Sequence, residues 1–262
     1  YFPSPKTLDR CFDLIMCFNV LEHVPDPVLF LANTKKNLTS NGVVILVYPD
    51  CETQMLSGDI NGIIHEHLTY FTLKQIRHLC EKNDLKIIKT SLNPMYGGSI
   101  RVFICHKNAK FKMDFKSIKK CNDLEKKYVN KKRLTYFKKK IKFLSIKLNK
   151  TIKNIKKNKK VIHVCGASTK GNITLQYSKI NNKQINFAAD RNPTKWNRKM
   201  PGTNIPIISE NSSRALNPDY YLVLPWHFKK EFIEREKKFL ANGGKLIFPL
   251  PDVQIVSKSN LY

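Results

Sequence analysis

The run Val161-Ile-His-Val-Cys-Gly-Ala-Ser-Thr-Lys-Gly-Asn172, followed by Phe187-Ala-Ala-Asp-Arg-Asn-Pro193, limits its stretch of chain to few folds. It reads as an apolar strand, a tight glycine turn, a helix start and a second strand ending in an acid. In an open α/β sheet this unit points a helix N-terminus and free backbone N–H groups at the strand end, where a phosphate can sit. Gly166 and Gly171 do not spell G-x-G-x-x-G, and a tight turn without a ligand would leave the same pattern.

The remaining segments repeat the α/β rhythm. Phe12–Phe18 and Val43–Tyr48 are short apolar runs of the buried-strand type. Between them Asp26-Pro27 opens a helix, with Leu29, Phe30, Leu31 and Leu38 as its apolar face and Asn41-Gly42 as its end. A helix over Thr72–Asn83, a strand over Leu85–Thr90, a turn at Gly97-Gly98 and a strand over Ser99–Cys105 follow. This order is the second half of a doubly wound domain, whose first strands the sequence does not contain. After Lys160, strands are expected at Val161–Cys165, Ile185–Ala189, Tyr220–Leu224 and Lys245–Phe248. Helices are expected near Lys170–Ser178, Ser209–Ala215 and Lys229–Leu240.

The net charge of +27 over 262 residues would suit a nucleic-acid binder. Its distribution argues against that. Lys107–Lys160 holds 21 Lys and one Arg against Asp114, Asp123 and Glu125. Leu134, Phe137, Ile141, Leu144, Leu148, Ile152 and Ile155 recur there at helical spacing, giving one apolar stripe on a Lys-covered helix. A solvated helix face explains the excess better than a surface for acidic partners, though both stay open. No run approaches the ~20 apolar residues of a membrane span. The seven cysteines are odd in number and form no C-x-x-C pair, so a disulfide framework is not expected and a cytoplasmic location is.

Two further runs carry chemistry. Asn19-Val-Leu-Glu-His-Val-Pro-Asp26 lies at the C-terminal end of a strand, the edge where open sheets bind ligands. His65-Glu-His67 sets imidazole beside carboxylate, which suits general-base work. A metal site there lacks further ligands at plausible spacing, and none is expected.

Together these runs resemble class I S-adenosylmethionine-dependent methyltransferases and, more narrowly, the C-methyltransferases of nucleotide-linked keto-deoxysugars. The residues are Phe12-Asp-Leu-Ile, Asn19–Asp26, Asn41–Asp50, Ile64-His-Glu-His-Leu-Thr-Tyr-Phe-Thr72, Tyr96-Gly-Gly-Ser-Ile-Arg-Val-Phe103, Cys165–Asn172, Ala189–Lys195, Met200–Ile207 and Leu224-Pro-Trp-His227. The likeness runs from Phe12 to Val256.

It implies three parts: residues 1–106 as the C-terminal part of a class I methyltransferase doubly wound domain, 107–158 as a Lys-rich helical connector, and 159–262 as a Rossmann-like C-terminal substrate-binding domain. It implies a nucleotide-sugar substrate held by one half and transformed by the other. His67 is the expected base, with Glu66 and His23 orienting it or the keto oxygen. Asn19 and Leu21 are placed at the cofactor, and Gly166, Ser168, Lys170, Asn172, Asp190, Arg191 and Lys195 at the nucleotide. The cofactor is S-adenosylmethionine; its Gly-rich first turn and the family's zinc-binding module both lie outside this sequence, so weak cofactor binding is expected. Relatives often carry Tyr at the position of Ile64, His at Tyr96 and Asn at His227. Methyl transfer to oxygen or nitrogen, a nucleic-acid-binding module and an inactive scaffold are the competing readings.

Overall fold

The computed structural model describes residues 10–93 and 98–260, which fall into two compact units. Tyr96 and Gly97 lie outside the described residues. The first unit runs to Leu56 and resumes over His65–Thr135; the second takes Ser57–Ile64 and Tyr136 onward.

The first unit opens with β1 (Phe12–Phe18), α1 (Pro27–Lys36) and β2 (Leu38–Pro49). Asp26 caps α1, its carboxylate accepting from Leu29 N at 2.9 Å. The helix stops at Asn37, four residues before the expected Asn41-Gly42. Asn37 turns back on Asn33 while its carbonyl accepts from Phe12 N at 2.8 Å, so pairing with β1 wins over continued helix. Leu38 therefore enters the core from a strand, and Leu29 faces solvent. After α2 (Cys51–Ser57) come α3 (Leu73–Lys82), β3 (Leu85–Asn93) and β4 (Ser99–His106). Among the described residues the sheet order is β1-β2-β4-β3, with β1–β2 parallel and the β4 pairings antiparallel. Leu21, Leu31, Leu46, Tyr48, Ile76 and Ile104 fill the core beneath it. From α4 (Phe115–Tyr128), Ile118 and Cys121 reach the same core. α5 (Lys131–Lys157) begins after a break at Val129-Asn130 and runs unbroken through Asn149 and Asn154.

The second unit buries the far part of the α5 stripe, Leu144, Leu148, Ile152 and Ile155, with the lysines left outside. Its elements are β5 (Ile162–Cys165), α6 (Thr169–Tyr177), β6 (Phe187–Asp190), β7 (Ile207–Ser209), α7 (Glu210–Ala215), β8 (Tyr220–Val223), α8 (Lys229–Arg235), α9 (Lys237–Ala241), β9 (Lys245–Phe248) and β10 (Gln254–Val256). The expected helix over Lys229–Leu240 is two helices meeting at Glu236, a buried carboxylate gripped by both Arg214 and Arg235. The sheet order β10-β9-β8-β5-β6-β7, parallel except at β10, makes β5 the strand from which the chain winds both ways. The architecture is thus the mixed α/β one the sequence implies: the later strands of a class I methyltransferase sheet, then a Rossmann-like sheet. Among the described residues, no helix is long and apolar enough to cross a membrane.

Among the described residues β1 pairs on one side only, and Leu14, Met16 and Phe18 are each at least half exposed along it.

Candidate active site

Two chain segments of the first unit build a polar cluster at the C-terminal end of β1. Leu21, fully buried, anchors a short 3-10 turn over Leu21–His23 in the core. The loop carrying His67 is tied to that turn in both directions. Leu68 N and Thr69 N donate to the Glu22 carbonyl at 2.8 and 3.3 Å. His23 Nδ1 lies 2.8 Å from the Glu66 carbonyl. A carbonyl only accepts, so Nδ1 carries the proton, and in the neutral ring Nε2 holds the lone pair.

The His23 and His67 rings meet edge to face at 5.0 Å between centroids, and His67 meets Tyr70 at 6.0 Å. Ligand-capable atoms of Glu22, His23 and His67 lie within 4.8 Å of one another. Glu22 and His67 are 2% and 6% exposed, while His23 faces solvent. A buried carboxylate close to two imidazoles can hold or pass a proton, or favour a cation.

The arrangement brings His67 and His23 together. Glu66, placed beside them by sequence, has an exposed side chain and contributes its backbone carbonyl; the buried carboxylate is Glu22. The signal for Glu22 was its place at a strand end. Asn19 sits at that same end, exposed and left-handed (φ 51°), with its N–H donating to Val47 O. Leu21 can only pack beneath.

In the second unit, β5 and β8 are paired neighbours from which the chain continues to opposite sides of the sheet, the point where a doubly wound sheet opens a crevice. Gly166 follows β5 with φ +88°, and a Cβ there would press on the Pro225 ring at 3.1 Å. Ser168 caps α6 by accepting from Gly171 N at 3.0 Å. Lys170, half-buried, stands in the first turn of α6.

Several of the other expected nucleotide residues are held internally. Asp190 Oδ2 accepts from Ala167 N at 2.9 Å and pairs with Lys195 Nζ at 3.2 Å, while Oδ1 accepts from Asn192 N. Lys195 also donates to Ala167 O. Asn172 Nδ2 donates to Pro201 O at 2.8 Å, and Arg191 pairs with Glu210.

Sequence reasoning missed Asp59. It is buried, caps the 3-10 turn over Ile60–Gly62 by accepting from Asn61 N, and belongs to the second unit, where the Asn61 side chain meets Thr174 of α6. Burial pushes its pKa up to about 6, against the Asn61 N–H, the Lys170 charge and the Trp226 indole. The Trp226 N–H turns toward Asp59 without closing to regular hydrogen-bond geometry. The nearby His227 imidazole is pushed below its usual value by burial and then by Lys170, with Glu231 opposing.

The comparisons agree with this anatomy. A family profile described as the C-methyltransferase C-terminal domain matches residues 94–251, and a methyltransferase-domain profile matches residues 2–90. The chain belongs to the C-methyltransferase family. It is 27% identical over 237 residues to C-methyltransferase NovU of Streptomyces niveus, covering 90% of this chain and 56% of that protein. The chain thus spans just over half the length of this curated relative. Solved structures of the magnesium protoporphyrin IX methyltransferase of Synechocystis PCC 6803 also match weakly. The form with bound SAH has 17% identity and a TM-score of 0.31 over 38% of this chain and 47% of that one.

The raised Asp59 pKa has a definite consequence for stability. The native state keeps the proton to about pH 6, whereas the unfolded chain loses it near 3.8. Stability from this group is complete below pH 3.8 and falls as pH rises to about 6. The loss approaches ~3 kcal/mol at neutral pH. Asp59→Asn should flatten that part of a denaturant-derived stability profile. A profile with the same slope in wild type and variant would assign the dependence to another group.

Proposed function

We propose that this protein takes part in S-adenosylmethionine-dependent C-methylation of a nucleotide-linked 4-keto-deoxysugar. The carrying observation is the Glu22–His23–His67 cluster at the strand end of a C-methyltransferase chain. A ketone acidifies the C–H beside it. His67 removes that proton, leaving an enolate whose carbon can accept a methyl group. His23, its Nδ1–H held by the Glu66 carbonyl, presents the Nε2 lone pair to the same proton or, once protonated, an Nε2–H to the keto oxygen. Glu22 stabilises whichever imidazole has become cationic, since a carboxylate favours the charged ring. When bound, S-adenosylmethionine supplies the electrophilic methyl group. Asn19, exposed at the same strand end, is this chain's candidate contact to it, while Leu21 supports the turn from below.

On the nucleotide side, Lys170 is the strongest candidate. It adds a full charge to the N-terminus of α6, which already favours anions. Gly166 and Ser168 shape the turn before it, and Asp190 with Lys195 keeps that turn in place. Arg191 and Asn172 contribute at one remove, through their internal partners.

Proton transfer can be tested without the cofactor. In D2O the protein should catalyse deuterium incorporation at the carbon beside the ketone of a nucleotide 4-ketosugar, and His67→Ala should slow it by ~10²–10⁴. Exchange equal to wild type in a folded His67→Ala variant would remove His67 as base. Absence of exchange in the wild type would favour methyl transfer to oxygen or nitrogen.

Nucleotide binding gives a separate test. Lys170→Ala should weaken nucleoside diphosphate binding measured by calorimetry by roughly 10–150-fold, the worth of a charge-assisted contact. Neutralising Lys138, Lys139 and Lys140 together should leave it unchanged. The reverse pattern would move the phosphate site to the Lys-rich helix.

A further inference from the structure

The same three side chains have the composition of a metal site, although no run of sequence spells one. Glu22, His23 and His67 offer one carboxylate oxygen and two imidazole nitrogens from segments more than forty residues apart, all within 4.8 Å. Two histidines and one carboxylate are a ligand set for Zn²⁺ that leaves a fourth position open. His65, the other half of the His-x-His pattern, is exposed and outside the cluster.

We propose that Glu22, His23 and His67 bind a divalent transition ion of the Zn²⁺ class, and that the ion inhibits the protein by occupying its proton-transfer groups.

Two observations beyond the ligand count support this. Metal-bound histidines characteristically donate their second ring N–H to a carbonyl or carboxylate, which fixes the tautomer and the ring plane. The 2.8 Å contact between His23 Nδ1 and the Glu66 carbonyl is a bond of that kind. The second is the placement of Glu22, whose carbonyl fixes the His67 loop while its carboxylate is 2% exposed. A carboxylate so far from water gains from a full positive charge beside it.

Zn–N and Zn–O bonds of about 2.0–2.2 Å set tetrahedral ligand atoms roughly 3.4 Å apart. The cluster must therefore close by about an ångström. His23, on the exposed side, can provide that movement by pivoting about its Nδ1 contact with the Glu66 carbonyl. The ion takes the lone pairs that a base needs, so the inhibition rests on the acid–base reading above, while the binding does not.

The test uses the protein with Cys11→Ser, because Cys11 is an exposed thiol and a competing ligand. Equilibrium dialysis with Zn²⁺, and Co²⁺ absorption spectra, should show one ion per chain and no comparable uptake of Mg²⁺. His65→Ala should bind as the parent does. His67→Ala and Glu22→Gln should each weaken binding by roughly 100-fold or more, since a direct ligand matters at least as much as a group that only orients one. Circular dichroism should show the variants folded; the spectra of Co²⁺ bound to the parent report nitrogen and oxygen ligation independently of any variant. Lack of stoichiometric uptake by the parent, or uptake surviving His67→Ala in a folded chain, would overturn the site. Deuterium exchange that depends on His67 but is indifferent to saturating Zn²⁺ would overturn the inhibition and leave the acid–base reading standing. Exchange independent of His67, together with His67-dependent Zn²⁺ uptake, would do the opposite.

Discussion

The exchange of backbone contacts between the Leu21–His23 turn and the His67 loop is the constraint on which the site depends. Glu22 O receives Leu68 N and Thr69 N, and Glu66 O receives His23 Nδ1. These bonds cross more than forty residues of chain, and each satisfies a polar group at the end of a strand where no ladder continues. Leu21 and Phe71, both in the core, hold the two partners from beneath. Position, rather than residue type, thus sets the chemistry: Glu66 and Glu22 are both glutamates beside a histidine, yet one gives a carbonyl and the other a buried carboxylate.

This explains which features could be read from the sequence. Strands announced by continuous apolar runs appear where expected: Phe12–Phe18 and Lys245–Phe248 agree residue for residue, although the second is largely buried and the first exposes Leu14, Met16 and Phe18. Boundaries moved where a long-range partner intervened. Asn37 left the helix for a strand partner at Phe12, and Glu236 bent a helix around two arginines. His67 and His23 were visible as polar residues at strand ends. Asp59 was not, since nothing local distinguishes it from any other Asp before a turn, and its burial is set by partners more than a hundred residues on.

The charge shows the same separation between composition and role. α5 carries much of the lysine excess, yet its apolar stripe packs into a core and its lysines cover the opposite side. Net charge describes that outer face and says little of the chemistry. Lys170 differs through its place at a helix start beside Asp59 and His227.

Ser57–Ile64 lies in sequence within the first unit and in space within the second. During synthesis these eight residues leave the ribosome long before α6, the helix that receives Asn61, has been made. The second unit therefore cannot finish folding as its own residues emerge; it waits for a strip of chain already threaded out of its neighbour. No single cut in the chain yields two whole units, and exchange of one unit between relatives must carry this strip along with it.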